Sequence, residues 1–231
     1  MSPDAVVRLV AGRLLQYPDE RLHADLDRLH EACDHPLLRE FVAHARVRRP
    51  LDLAAHYTDV FDTRNRRCLY LTWWSDGDTR NRGLSLVRVK HVYREHGLEF
   101  ASAELPDFLP VMLEFAAREE AAGTALLEEH RAGLELLRLA VTDADTPYAR
   151  VLEAVCGTLP GPSPRTRAEA KALARSGPPR ESVGLEPFGP GMEPLGPGLE
   201  PFGPGMEPLG PGVELPWPTL PARPARERTP A

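Results

Sequence analysis

Proline sets the first constraint on this chain. Residues 161–231 hold 17 of its 25 prolines and 11 of its 18 glycines. From residue 184 the sequence repeats every seven positions as GLEPFGP, GMEPLGP, GLEPFGP, GMEPLGP and a degraded GVELPWP. A seven-residue period is that of a coiled coil, but a proline in every unit removes the amide and adds the clash that end an α-helix. Each Pro-Gly pair suits a type II turn, with polyproline II between turns. Such a segment buries too little apolar surface to offset its ordering entropy, so residues 184–231 are expected to be disordered. The evenly spaced Phe188, Met192, Leu195, Leu199, Phe202, Met206 and Leu209 and the PxxP spacings offer docking points; repeat expansion under little constraint is the plainer reading. Residues 161–183 read as a charged linker in which RTRAEAKALAR forms a short exposed helix.

Folding therefore falls to residues 1–160, a length ample for one core. Apolar residues there recur at helical spacing: Val7, Val10, Ala11 and Leu14; Leu22, Leu26, Leu29 and Cys33; Leu38, Phe41, Val42 and Ala45; Leu53, Tyr57 and Val60. A longer helix is expected from about Thr79 to His96, ended by Gly97. Further helices are expected over 108–119, 131–141 and, opened by Pro147, 147–159. No stretch alternates with period two. The fold class is all-α, a single bundle of about seven or eight helices.

The net charge of −6 lies wholly on this first part. An acidic domain is a poor match for nucleic acid, where phosphate neutralisation supplies most of the affinity. Three scattered cysteines, Cys33, Cys68 and Cys156, form neither a C-x-x-C pair nor a disulfide framework. With no signal-like N-terminus and no run of about 20 apolar residues, a cytoplasmic protein without membrane insertion is expected.

Catalytic patterns are missing: no H-E-x-x-H, G-x-S-x-G, G-x-G-x-x-G or phosphate-cradling loop. The cluster SDGDTRNRG at 75–83 fails as a calcium loop, because counting from Asp76 the sixth and twelfth places hold Asn81 and Val87. It reads instead as a tight turn at Gly77 with Asp78 or Thr79 capping the next helix. His30, Cys33 and His35 have no standard zinc spacing, and His91 and His96 diverge by about 140° around a helix. Trp73 and Trp74 are harder to place, since neighbours about 100° apart on a helix are rarely both buried. Asp107 stands at a helix start with Pro110 in its first turn. An exposed aromatic groove beside carboxylates suits an amphipathic, basic peptide.

These two regions carry a resemblance. LYLTWWSDGDTRNRG at 69–83 and ELPDFLPVMLEF at 104–115 resemble the signature regions of respiratory nitrate reductase assembly chaperones, the NarJ group of the TorD/DmsD-like family. LLQYPD near the start, YTDVFD at 57–62 and TPYARVLEAVC at 146–156 support it, and it covers roughly residues 5–160. Trp73 and Trp74 stand where the family usually has tyrosines, Phe108 where a histidine or tyrosine follows the aspartate; the repeat tail is no part of the family pattern. The resemblance implies a non-catalytic cytoplasmic chaperone with no cofactor of its own. Its partner would be the apo catalytic subunit of a membrane-bound nitrate reductase, bound through its N-terminal segment during molybdenum cofactor insertion, with the insertion machinery as a further partner. Tyr70, Trp73, Trp74, Phe108, Leu109 and Met112 would contact the client helix. Asp76, Asp78, Asp107 and Glu114 would pair with its basic residues or cap its end, and Arg80 completes the set. The alternatives are a chaperone for a sulfoxide or amine-oxide reductase, a metal-dependent helical enzyme using His30, Cys33 and His35, and an interaction scaffold acting through its tail.

Overall fold

The computed structural model describes residues 1–63, 67–100 and 104–176; the side chains of 174–176 and the repeat tail expected to be disordered lie outside the described residues. All regular structure among the described residues is helical: α1 (Pro3–Leu14), α2 (Glu20–Ala32), α3 (Pro36–Arg46), α4 (Pro50–Tyr57), α5 (Leu71–Asp76), α6 (Arg80–Glu95), α7 (Leu109–Arg118), α8 (Glu120–Glu129), α9 (Arg131–Thr142), α10 (Tyr148–Gly157) and α11 (Arg167–Ser176). None of these helices is long and apolar enough to cross a membrane.

Local chemistry places the ends. Ser2 and Asp19 accept the amides of Ala5 and Leu22 at the starts of α1 and α2, and prolines open α1, α3 and α4 and stand in the first turn of α7. α4 runs into a π-helical turn, Thr58–Asp62, closed by Thr63 N donating to Thr58 O at 3.1 Å. Arg67 donates to the carbonyls of Val60 and Asp59 there, so the wider turn leaves those acceptors satisfied.

The apolar stripes meet in one core. α1 packs along α7, α7 on α8, α3 on α10, and α9 against α5, α10 and α11. Arg8, only 3 % exposed, spans this junction from α1. Its guanidinium donates to Thr158 Oγ1 and O, to Ala116 O and to Thr124 Oγ1. Four bonds satisfy a charge that would otherwise be costly to bury.

α8 has no counterpart in the sequence reading. Its inner face is Gly123, Leu126 and Leu127, and a Cβ on Gly123 would fall 2.1 Å from Ala116 Cα. Close approach to α7 thus puts a glycine where a large apolar side chain would have lengthened the stripe that announces a helix. α11 is the helix expected over 165–175, but it does not stand free. Ala170 is fully buried against α9, Arg138 donates to Pro164 O at 2.5 Å, and Arg131 donates to the carbonyls of Pro160, Gly161 and Pro162. Glu135, itself fully buried, pairs with Arg138 at 2.6 Å and so holds this clamp in place.

Candidate functional site

The two segments singled out by sequence lie side by side. Tyr70 and Phe108 form an antiparallel bridge, with Leu71 N donating to Asp107 O at 3.0 Å and Leu109 N to Leu69 O at 2.8 Å. Their rings meet at 5.3 Å between centroids. The Tyr70 hydroxyl donates to Glu104 Oε2 at 2.8 Å; burial, then this carboxylate, raises its pKa and keeps it a neutral donor.

Asp107 sits beneath the bridge with no solvent exposure. Its Oδ2 accepts from the Thr72 amide at 3.1 Å and the Thr72 hydroxyl at 2.5 Å. Thr72 N is one of the unpaired amides at the start of α5, so Asp107 caps α5 from across the fold and not α7, whose N-cap Phe108 makes no side-chain bond. Arg82 Nε donates to Thr72 Oγ1 at 3.3 Å and its Nη2 stands 3.9 Å from Asp107. The same guanidinium lies 5.9 Å from the Tyr70 ring centroid and 5.8 Å from that of Trp73. The sequence reading missed Arg82; its place two residues after Arg80 on a helix facing an aromatic run was the available signal.

The tryptophans divide as helical geometry requires. Trp74 packs toward the core, its Nε1 donating to Cys68 O at 3.0 Å, with its Cβ against α9. A Cβ on Gly133 would lie 2.8 Å from Trp74 Cβ and 3.3 Å from Leu71 O, so only glycine admits this approach. Trp73 turns to the partly open side with Arg82. Gly77, at φ +60° and ψ −146°, makes the expected turn in a region reserved for glycine. The expected cap does not form: the Thr79 hydroxyl donates back to Asp76 O at 2.8 Å, and α6 has no side-chain cap bond. Asp76 Oδ2 accepts from Ser85 at 2.7 Å instead, fastening the turn to α6, while Asp78 and Arg80 stand exposed.

Three of the residues expected to touch a client are interior. Leu109 and Met112 are fully buried in the core, because α7 packs on α1 and α8 and directs that face inward, and Asp107 is consumed in capping α5. The open face of α7 carries Phe108, Val111 and Glu114. Beyond Phe108 this face borders a shallow, solvent-open apolar pocket that Tyr93, Leu98, Phe100, Val111, Glu114 and Phe115 help to line. Glu114 pairs there with Arg118 at 2.5 Å. Leu98 is set in place by a paired turn at the end of α6, Leu98 N donating to Tyr93 O and Gly97 N to Arg94 O, each at 2.9 Å. No three His, Cys, Asp or Glu side chains group as metal ligands among the described residues.

The chain belongs to the nitrate reductase delta subunit family, which it matches over residues 19–153. It is 31% identical over 169 residues to the inferred nitrate reductase molybdenum cofactor assembly chaperone NarJ of Bacillus subtilis, covering 70% of this chain and 92% of that one. Identity to NarJ of Escherichia coli K12, a nitrate reductase molybdenum cofactor assembly chaperone, is 34% over 119 residues, 48% of this chain and 50% of that one. The nitrate reductase-like protein NarX of Mycobacterium tuberculosis H37Rv is 42% identical over 157 residues, 66% of this chain, which spans only 24% of that relative's length. The fold is shared with a candidate redox enzyme maturation protein from Archaeoglobus fulgidus at TM-score 0.54 and 20% identity, over 67% of this chain and 91% of that one.

Proposed function

We propose that this protein is a non-catalytic cytoplasmic assembly chaperone. In this reading it binds the catalytic subunit of a nitrate reductase before molybdenum cofactor insertion, through that subunit's N-terminal segment. The observation that carries the reading is its likeness to Bacillus subtilis NarJ over nearly the whole of that chain. The surface geometry supports it. Tyr70, Trp73 and Phe108 form an aromatic ledge steadied by Arg82, continuous along α7 with the pocket beside Val111 and Glu114. An amphipathic client helix would seat apolar side chains on the ledge and in the pocket, and set a basic residue against Glu114, displacing Arg118.

The test is capture from nitrate-respiring cells followed by titration with a peptide of the captured subunit's N-terminus. Recovery of the cofactor-free catalytic subunit is expected. Trp73→Ala or Phe108→Ala should weaken the peptide about 10–100-fold, the scale of losing one buried aromatic anchor. Capture of a different molybdoenzyme moves the client; capture of none while the reductase is being made rejects the function.

A further inference from the structure

α6 turns only one side to the protein. Val89 and Tyr93 are its buried residues, and Arg82 faces Trp73 and Tyr70. On the opposite side Arg80, Leu84, Val87, His91 and Arg94 fall within about 80° of one another around the axis. All five are exposed, Leu84 to 71% and Val87 to 66%. Arg88, flanking this stripe, pairs with Glu129 at 3.2 Å, and His91 with Glu95; no ion pair engages Arg80 or Arg94 among the described residues. The helix carries five basic residues against one acidic residue. Two large apolar side chains framed by arginines, and left exposed among the described residues, form a surface for an acidic and apolar chain.

The same molecule carries such a chain. Residues 184–218 contain five glutamates, Glu186, Glu193, Glu200, Glu207 and Glu214, and no lysine or arginine, with Phe, Met or Leu between them. We propose that the outward face of α6 is a docking site for these acidic repeats of the same chain, glutamates on Arg80 and Arg94 and apolar side chains on Leu84 and Val87. The dimensions agree. Arg80 and Arg94 are about 21 Å apart along the helix axis, and one repeat extended as polyproline II measures about 22 Å from glutamate to glutamate. Reach is sufficient as well. α11 lies on α9, α9 on α5 and α5 on α6, three interaxial steps of about 8–10 Å each. The eight residues from Ser176 to Gly184 extend up to about 29 Å, and later repeats reach further. Repetition gives one shallow site several equivalent occupants, which raises effective concentration without a tight contact.

The proposal is independent of any client, and its test needs none. Four methionines give four methyl reporters: Met1, Met112 in the core, and Met192 and Met206 in the repeats. Methyl-labelled full-length protein is compared with Leu84→Ser/Val87→Ser and with Arg80→Glu/Arg94→Glu. Expected is a shift of the Met192 and Met206 signals toward the position and narrow width of a free methionine methyl in both variants and in high salt for the charged contacts. The Met112 signal should stay fixed, as these substitutions are exposed. Tail signals identical in wild type and both variants overturn the proposal. Tail signals that reach the free position in the wild type on dilution also overturn it, in favour of contact between copies.

Discussion

Replacing Asp107 by alanine should destabilise the whole domain while leaving its surface unchanged. The carboxylate is fully buried and holds the Thr72 amide and hydroxyl at 3.1 and 2.5 Å. Loss of the capping bond costs about 1 kcal/mol, and loss of a charge-assisted hydroxyl bond about 1.5–3 kcal/mol. Thr72 is itself fully buried, so water does not readily replace the acceptor, and a total of about 2.5–4 kcal/mol follows. That is a large share of the roughly 5–15 kcal/mol stability of a typical domain. Asp107→Asn keeps an oxygen for Thr72 but loses the charge facing Arg82 and buries an amide NH2 where Oδ1 has no partner, so about 1–3 kcal/mol is expected. Urea unfolding followed by circular dichroism, with tryptophan fluorescence as a local reading beside Thr72, measures both. A loss below about 1 kcal/mol for Asp107→Ala would refute the assignment of Asp107 as the link between α5 and α7. Client peptide affinity that falls sharply in Asp107→Asn at unchanged stability would return this carboxylate to the binding surface.

Gly133→Ala should cost about 1–3 kcal/mol by overpacking α9 against Trp74 and Leu71 O, measured by the same unfolding curves; a neutral result would mean α5 shifts freely. Met112→Ala should cost about 2–5 kcal/mol as a core cavity, whereas exposed Asp78→Ala and Arg80→Ala should stay within about 0.5 kcal/mol. The pKa values of His44 and His56 are lowered, mainly by burial and then, for His44, by Arg48. The unfolded chain therefore binds more protons below about pH 6.5, and stability should fall as pH drops through that value. Urea midpoints between about pH 7 and pH 5 test this, and His56→Gln should flatten the slope; a flat wild-type profile would contradict it. Tyr70→Phe, which removes only a part-exposed bond to Glu104, should cost at most about 1 kcal/mol, while Tyr70→Ala should also weaken client binding.

Much of this protein was legible in its sequence, because helical periodicity and caps are local. The stripe Val7, Val10, Ala11 and Leu14 became the buried face of α1, Gly97 ended α6, Gly77 made its turn, and the two segments carrying the family likeness were found from residue types alone. Adjacency of Trp73 and Trp74 already required them to face different surroundings. What sequence could not supply were contacts between distant residues. Asp107 and Thr72 are 35 positions apart, so a carboxylate that looks like a local cap serves another helix. Leu109 and Met112 resemble groove residues until α1 and α8 close over them. Nothing near Arg8 in sequence marks it as buried, because its partners, Ala116, Thr124 and Thr158, lie more than a hundred residues away. α8 escaped notice because close packing requires glycine at position 123, which leaves only the short stripe of Leu126 and Leu127. Local propensity and periodicity thus determined most of the elements, and two motifs pointed to the family; burial, decided only when the helices pack, determined which polar side chains hold the fold together and which remain free to meet another chain.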